Sequence, residues 1–122
     1  MAHPVVHFEI GAQDHKQSAA FYGQLFGWEI NSDVMPGYAM VQSGGEGGIG
    51  GGIMTIQDGM KPMVTVYVLV DDLDATLAKA EGLGATTVVP PTPIPGYGAF
   101  AWFADLDGNC VGIFKPAHGE HG

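Results

Sequence analysis

The sequence predicts an α+β fold made of two βαβββ modules, and three observations support this prediction. A strand, an acidic turn, a helix, a glycine and a further strand follow one another twice in the same order. Asp14 matches Asp71 and Gly27 matches Gly84 at one offset of 57 positions (71 against 14, 84 against 27). Apolar residues make up 46% of the 122 residues, which is enough for a packed core.

The first module is expected over about residues 5–57. Residues 5–10 alternate apolar and polar side chains after a β-branched start, which predicts a strand. Residues 18–26 carry apolar side chains at helical spacing, with Asp14 as a candidate N-cap and Gly27 as the residue that ends the helix. Further strands are predicted at 28–30, at 38–41 and over the glycine-rich stretch 49–56.

The second module is expected over about residues 62–116. A strand at 63–70, a helix at 73–83 and strands at 86–89, 97–104 and 110–115 repeat the first plan, and Asp105 to Gly108 predict a hairpin. The segment Pro90 to Pro95 is expected to be a stiff connection that does not continue a sheet ladder, because proline has no N–H to donate. Each half is small for a core of its own, so a single domain over 1–122 is expected.

The net charge of the chain limits the kinds of molecule that it is expected to bind. Thirteen acidic residues against four Lys and Arg give a formal net charge of −9, which disfavours binding to nucleic acid or to an anionic membrane.

The sequence contains no run of eighteen apolar residues, so no transmembrane helix is predicted. Its one cysteine excludes an internal disulfide. The N-terminal residues lack a secretory pattern, so a cytoplasmic location is expected.

Four short sequence motifs resemble those of a known family. They lie at residues 7–10, 20–28, 70–73 and 102–109, in order and at suitable spacing. With them the chain resembles the vicinal oxygen chelate superfamily of glyoxalases, bleomycin-resistance proteins and extradiol dioxygenases, most closely its lactoylglutathione-lyase-related branch. The resemblance implies a curved, half-open mixed sheet with the helices outside, a small-molecule ligand in the cup of the sheet, and a homodimer.

The resemblance also implies where metal ligands would lie. Metal-dependent members hold an ion with four side chains, and their positions fall on His7, on Gly50 to Gly52, on Thr65 (or Val64 if the offset is applied strictly) and on Gly112. Only His7 is a competent ligand, and a divalent ion needs about three or four strong donors. A shifted register would add Glu9 or Glu46, which still leaves too few. No metal and no cofactor are therefore expected.

Two sets of site residues are predicted. His7 and Glu9 lie two residues apart on one strand and thus share a face, where an imidazole beside a carboxylate is suited to general acid–base catalysis. The alternative is a buried polar pair without a catalytic role. The predicted pocket lining combines aromatic and small side chains, for which ordinary core is the alternative: Thr65, Tyr67, Phe100, Trp102, Gly112 and Phe114.

Three hypotheses on function remain open. The first is a small-molecule enzyme, a lyase or an oxidoreductase, that works without a metal through His7 and Glu9. The second is a binding or sequestering protein of the resistance type, with an aromatic pocket and no catalysis. The third is metal-dependent lyase or dioxygenase chemistry with an unusual ligand set. The tail residues His118, Glu120 and His121 are expected to be loose, and Cys110 to be a buried small hydrophobe.

Overall fold

The structure is a computed structural model that describes residues 2–43 and 47–117, except for the side chains of residues 33 and 34. The predicted positions Glu46, His118, Glu120 and His121 lie outside this part. The described elements follow the order β1(Val5–Ala12), α1(His15–Phe26), β2(Glu29–Met35), β3(Tyr38–Gln42), β4(Gly50–Thr55), β5(Met63–Leu69), α2(Leu73–Gly82), β6(Thr86–Ile94), β7(Gly98–Ala104) and β8(Cys110–Pro116). This order is βαβββ twice, so the predicted α+β class is confirmed.

The described chain divides into two compact units. The first unit holds residues 6–65, and the second unit holds residues 2–5 together with residues 66–117. The boundary falls inside β1 and inside β5. Within the described residues, no helix is long and apolar enough to cross a membrane.

The first unit contains a mixed sheet in the strand order β2-β3-β4-β1. Strands β2, β3 and β4 are antiparallel neighbours, and β1 runs parallel to β4. One face of this sheet packs against α1 through a buried apolar core. The core comprises Ile10, Ala12, Ala19, Ala39, Val41 and Ile53.

The second unit repeats this arrangement with the strand order β5-β8-β7-β6. Strand β5 runs parallel to β8, and β8, β7 and β6 are antiparallel neighbours. Its core lies between the sheet and α2. The core comprises Val70, Leu73, Leu77, Ala101 and Ile113.

An aspartate is the N-cap of each helix, but in α2 this aspartate lies one residue after the position that the repeat offset gives. Asp14 accepts a hydrogen bond from Lys16 N at 3.0 Å, and Gly27 closes α1 in the left-handed conformation at φ 72°, both as predicted. Helix α1 begins at His15, earlier than the apolar spacing indicated, since the cap directly precedes it. In α2 the N-cap is Asp72, which accepts from Ala75 N at 3.0 Å, rather than the Asp71 that the offset pairs with Asp14.

The prediction for Pro90 to Pro95 was wrong. Strand β6 runs through Pro90, Pro91 and Pro93 to Ile94 and pairs with β7. Its register shifts between Thr87 and Val89 and again between Val89 and Thr92, so the ladder is irregular where the prolines fall. Because β6 ends the strand order, it needs hydrogen bonds on one side only, and prolines are tolerated in such an edge strand and at bulges.

Candidate functional site

The face of the first sheet turned away from α1 carries the two predicted catalytic residues. Successive side chains of a strand point to opposite faces, so Ile10 and Ala12 enter the core while His7 and Glu9 lie on the other face. The parallel register places His7 beside Gly50 and Glu9 beside Gly52. These glycines leave the neighbouring strand without side chains beside His7 and Glu9.

Tyr38 of β3 fills the space above Gly52 and contacts both His7 and Glu9. Its hydroxyl donates to Glu9 Oε1 at 3.2 Å, and its oxygen lies 2.9 Å from His7 Nε2. With the phenol proton directed to Glu9, the phenol oxygen accepts from His7 in the tautomer that carries its proton on Nε2. In that tautomer the three side chains form one directed chain, from imidazole to phenol to carboxyl group, and Nδ1 is the basic nitrogen of His7.

Burial affects the charge state of His7. Glu9 is 4% exposed and lies among the buried polar residues of the chain. The pKa of His7 lies below its ordinary value of 6.5, because burial disfavours the charged imidazolium. At neutral pH the imidazole is thus uncharged, which is the form that accepts a proton.

The second sheet repeats the device of a tyrosine lying over a glycine. A β-carbon on Gly52 would overlap the phenol of Tyr38, and a β-carbon on Gly112 would overlap the ring of Tyr67. Glycine at these two strand positions is therefore required by the tyrosine beside it. The register pairs Tyr67 with Gly112 across β5 and β8, and Trp102 with Gly112 across β7 and β8.

The predicted pocket residues of the second unit share the face that bears Tyr67. Phe100 and Phe114 are paired in register two positions from Trp102 and Gly112, so all four lie on one side of the sheet. Trp102 Nε1 donates to the Tyr67 hydroxyl at 2.7 Å, and the rings of Tyr67 and Phe100 meet edge to face at 6.4 Å. Tyr67 and Trp102 are buried, at 6% and 7% exposure.

Thr65, the remaining predicted lining residue, belongs to the first unit. It lies on β5 two residues before Tyr67 and so shares that strand's face with it, and it is buried. The structure thus groups the sequence-predicted residues by unit. His7 and Glu9 meet through Tyr38 in one, and Tyr67, Trp102 and Phe100 meet in the other.

Comparison with known proteins gives the chain its family. Residues 5–44 match the family described as bleomycin resistance protein-like N-terminal. A protein named as a glyoxylase, CFP32 of Mycobacterium tuberculosis, is 32% identical over 114 residues, which cover 87% of this chain and 44% of that protein. The anthracycline biosynthesis protein DnrV of Streptomyces peucetius is 29% identical over 124 residues, covering 88% of this chain and 45% of that protein.

Solved structures agree on the fold. Methylmalonyl-CoA epimerase of Mycobacterium tuberculosis matches with a TM-score of 0.66 at 19% identity, over 93% of this chain and 87% of that one. The Mn(II)-bound glyoxalase of Novosphingobium aromaticivorans matches with a TM-score of 0.64 at 19% identity, over 93% of this chain and 40% of that one. The chain belongs to the vicinal oxygen chelate superfamily. It spans less than half the length of the curated relatives it matches.

In this member of the vicinal oxygen chelate superfamily, the described side chains at the expected ligand positions do not fit a metal ion. Of the positions that the resemblance assigns to ligands, Gly52 and Gly112 offer no donor, and a tyrosine ring fills the space into which a side chain would project at each. His7 Nε2 is bonded to the Tyr38 hydroxyl. Among the described residues, no three His, Cys, Asp or Glu side chains lie close enough to hold an ion.

Tyr38 is the member of this hydrogen-bonded group that sequence reasoning missed. Its strand was predicted, but a register between strands is needed to see that its ring crosses β4 to reach β1. One signal was present in the sequence. Three consecutive glycines, Gly50 to Gly52, in a predicted strand leave a space beside it that a large neighbouring side chain has to fill.

The first unit also has a groove of about 370 Å³ between α1 and β2. The groove is lined among others by Lys16, Gly23, Trp28 and Ser32, and it contains none of the predicted site residues.

Cys110 is half-buried, and burial raises the pKa of its thiol. The thiol is therefore protonated at neutral pH, as expected for a small hydrophobe rather than a nucleophile.

Proposed function

We propose that this chain binds a small, largely planar organic molecule at the face that carries His7, Tyr38 and Glu9, and that it transfers a proton of that molecule without a metal. The observation that carries the proposal is the directed hydrogen-bonded chain of these three side chains. An uncharged imidazole whose orientation is fixed by a phenol and a carboxylate is a suitable general base.

The step follows from the charges of the group. His7 Nδ1 takes a proton from a carbon next to a substrate carbonyl, so a C–H bond breaks, an N–H bond forms and the electron pair passes to the carbonyl oxygen. The imidazolium that results is stabilised by the Glu9 carboxylate through Tyr38. Return of the proton to the same or an adjacent carbon restores the imidazole, so no oxidant or further reactant is needed.

Proton exchange on a neutral aromatic ketone tests this proposal. Wild-type protein is incubated with 2-tetralone in D2O, and loss of the C–H signals beside the carbonyl is followed by NMR. We expect acceleration over buffer that falls by at least about 100-fold in His7→Gln. The matched control is His3→Gln, because His3 is exposed and precedes β1. Equal exchange by His7→Gln and wild type would contradict the proposal.

A binding protein without catalysis is the second candidate. The aromatic face of the second unit favours it, because the rings of Tyr67, Phe100 and Trp102 lie together on that face. The anthracycline biosynthesis relative also suggests a planar aromatic ligand. Saturable binding of 2-tetralone without accelerated exchange would select this candidate.

We also propose that two copies associate. Phe21 and Leu25 lie four residues apart on α1, each 58% exposed, and offer an apolar face to a second copy. The curated relatives are long enough to hold a second segment of this size. Sedimentation equilibrium is expected to give twice the chain mass, and Phe21→Gln with Leu25→Gln to give a single chain. A single chain at all wild-type concentrations would contradict the association.

A further inference from the structure

Gln42 lies on the same face of the first sheet as His7. Val41 of β3 belongs to the core against α1, so Gln42, the next residue of that strand, lies on the opposite face. Val41 is paired with Gly51, and Gln42 therefore lies beside Gly50, the preceding residue of β4. On its other side Gly50 is paired with His7 of β1. The two polar side chains thus flank one glycine.

Gly50 separates these two side chains without filling the space between them. Among the described residues other than its chain neighbours, a β-carbon on Gly50 would come within 4 Å of one backbone atom, the Val41 carbonyl oxygen at 3.2 Å. At Gly52, in contrast, the phenol of Tyr38 occupies the corresponding space. Neighbouring strands lie about 4.8 Å apart, so β1 and β3 are separated by about 10 Å across β4. This interval is wide enough for a carbonyl group and the carbon next to it.

The proposed proton transfer needs a hydrogen-bond donor opposite the base. When the imidazole of His7 takes a proton from carbon, the electron pair passes to the carbonyl oxygen, and a donor placed at that oxygen stabilises the developing charge. The carboxamide of Gln42 has two N–H donors and remains uncharged. Gln42 is exposed, so a molecule from solvent can reach it.

We infer that Gln42 binds the carbonyl oxygen of the substrate and stabilises the enolate that His7 generates, with the substrate lying over Gly50. The inference rests on the proposed function and adds a catalytic residue to it. His7 takes the proton and returns it, whereas Gln42 donates a hydrogen bond and loses no proton. The substrate class is a neutral ketone or aldehyde with a C–H bond next to its carbonyl.

Two ligands that differ in one oxygen test the role of Gln42. They are 2-naphthol, whose oxygen stands where 2-tetralone has its carbonyl, and 2-methylnaphthalene, which has no oxygen; binding is followed by the fluorescence of the ligand. We expect Gln42→Met to weaken binding of 2-naphthol at least about tenfold and to leave binding of 2-methylnaphthalene unchanged. The exchange of 2-tetralone in D2O should fall at least about tenfold in the same variant. The matched control is Gln17→Met, at an exposed position on α1.

A side chain at Gly50 tests the placement of the ligand. Gly50→Leu fills the interval between β1 and β3, so it is expected to weaken binding of both ligands alike. The matched control is Gly82→Leu on α2, because a β-carbon there would meet nothing within 4 Å among the described residues. Urea denaturation confirms that each variant is folded. Unchanged binding of both ligands in folded Gly50→Leu would overturn the placement.

The outcomes separate the role of Gln42 from the proposed function. If wild-type protein does not accelerate exchange, or if His7→Gln exchanges as fast, the proposed function is wrong and the inference falls with it. If exchange depends on His7 but Gln42→Met behaves as Gln17→Met does, the reaction stands and the role of Gln42 is wrong. If Gln42→Met weakens binding of both ligands equally, Gln42 acts by packing rather than by a hydrogen bond, which also overturns the inference.

Discussion

Each unit of this chain places a tyrosine ring over a strand glycine, but the two tyrosine hydroxyls have different hydrogen-bond partners. In each, a tyrosine ring lies over a glycine of the strand that pairs in parallel with the first strand of the module: Tyr38 over Gly52, and Tyr67 over Gly112. The Tyr38 hydroxyl then connects an imidazole with a carboxylate, whereas the Tyr67 hydroxyl receives an indole N–H. The strand that carries the glycine is equivalent in the two units, but Tyr38 lies on β3 and Tyr67 on β5, and the partners of the two hydroxyls differ.

Loss of either glycine is expected to have the largest effect. Gly52→Val and Gly112→Val should each reduce the free energy of unfolding by about 3 kcal/mol, because the new side chain would overlap the tyrosine ring. Urea denaturation measures this. Gly82→Ala is the control, since its β-carbon would meet nothing within 4 Å. A valine tolerated in one unit but not in the other would break the comparison.

The next largest effects are expected from removal of the hydroxyl groups of Tyr67 and Tyr38, and they differ in kind. Tyr67→Phe removes the acceptor of the buried Trp102 N–H and should cost about 1–3 kcal/mol of unfolding free energy. In the first unit, Tyr38→Phe should shift the NMR signals of the His7 ring, because it removes the oxygen that lies 2.9 Å from Nε2. Unchanged His7 signals in Tyr38→Phe would contradict this contact.

Replacement of the N-cap aspartate should reduce the stability of the protein by a similar amount in both helices. Asp14→Ala and Asp72→Ala each remove a side-chain acceptor from the first turn and should cost about 1 kcal/mol. Asp58→Ala, at an exposed position outside the helices, serves as a charge-matched control. Thermal unfolding measures the three, and a cost confined to one helix would contradict the equivalence of the caps.

The smallest effect concerns pH and only the first unit. His7 binds protons less readily in the folded state than at its ordinary pKa of 6.5, because burial lowers its pKa. The unfolded chain thus takes up more protons below that value, and stability falls as the pH drops from 6.5 toward the folded pKa. His7→Gln should lack this loss. Parallel stability curves for the two proteins between pH 7.5 and 5 would contradict it.

Local signals in the sequence were enough for the elements and for part of the site. Strand alternation, the Asp14 cap and the left-handed Gly27 act over a few residues, and they predicted the βαβββ order and the shared face of His7 and Glu9. The role of Tyr38 depended on the register of β3, β4 and β1, which involves residues 29 or more positions apart. Strand β6 was underestimated because its prolines are acceptable only at an edge, and edge position is a tertiary property.

The prolines of β6 also limit how the sheet can grow. An exposed edge strand normally offers a row of N–H and C=O groups on which a further strand can assemble, and this is a common route to fibrils. Pro90, Pro91 and Pro93 interrupt that row of donors on the last strand of the order. The same residues that make β6 irregular thus disfavour the addition of a further strand at this edge.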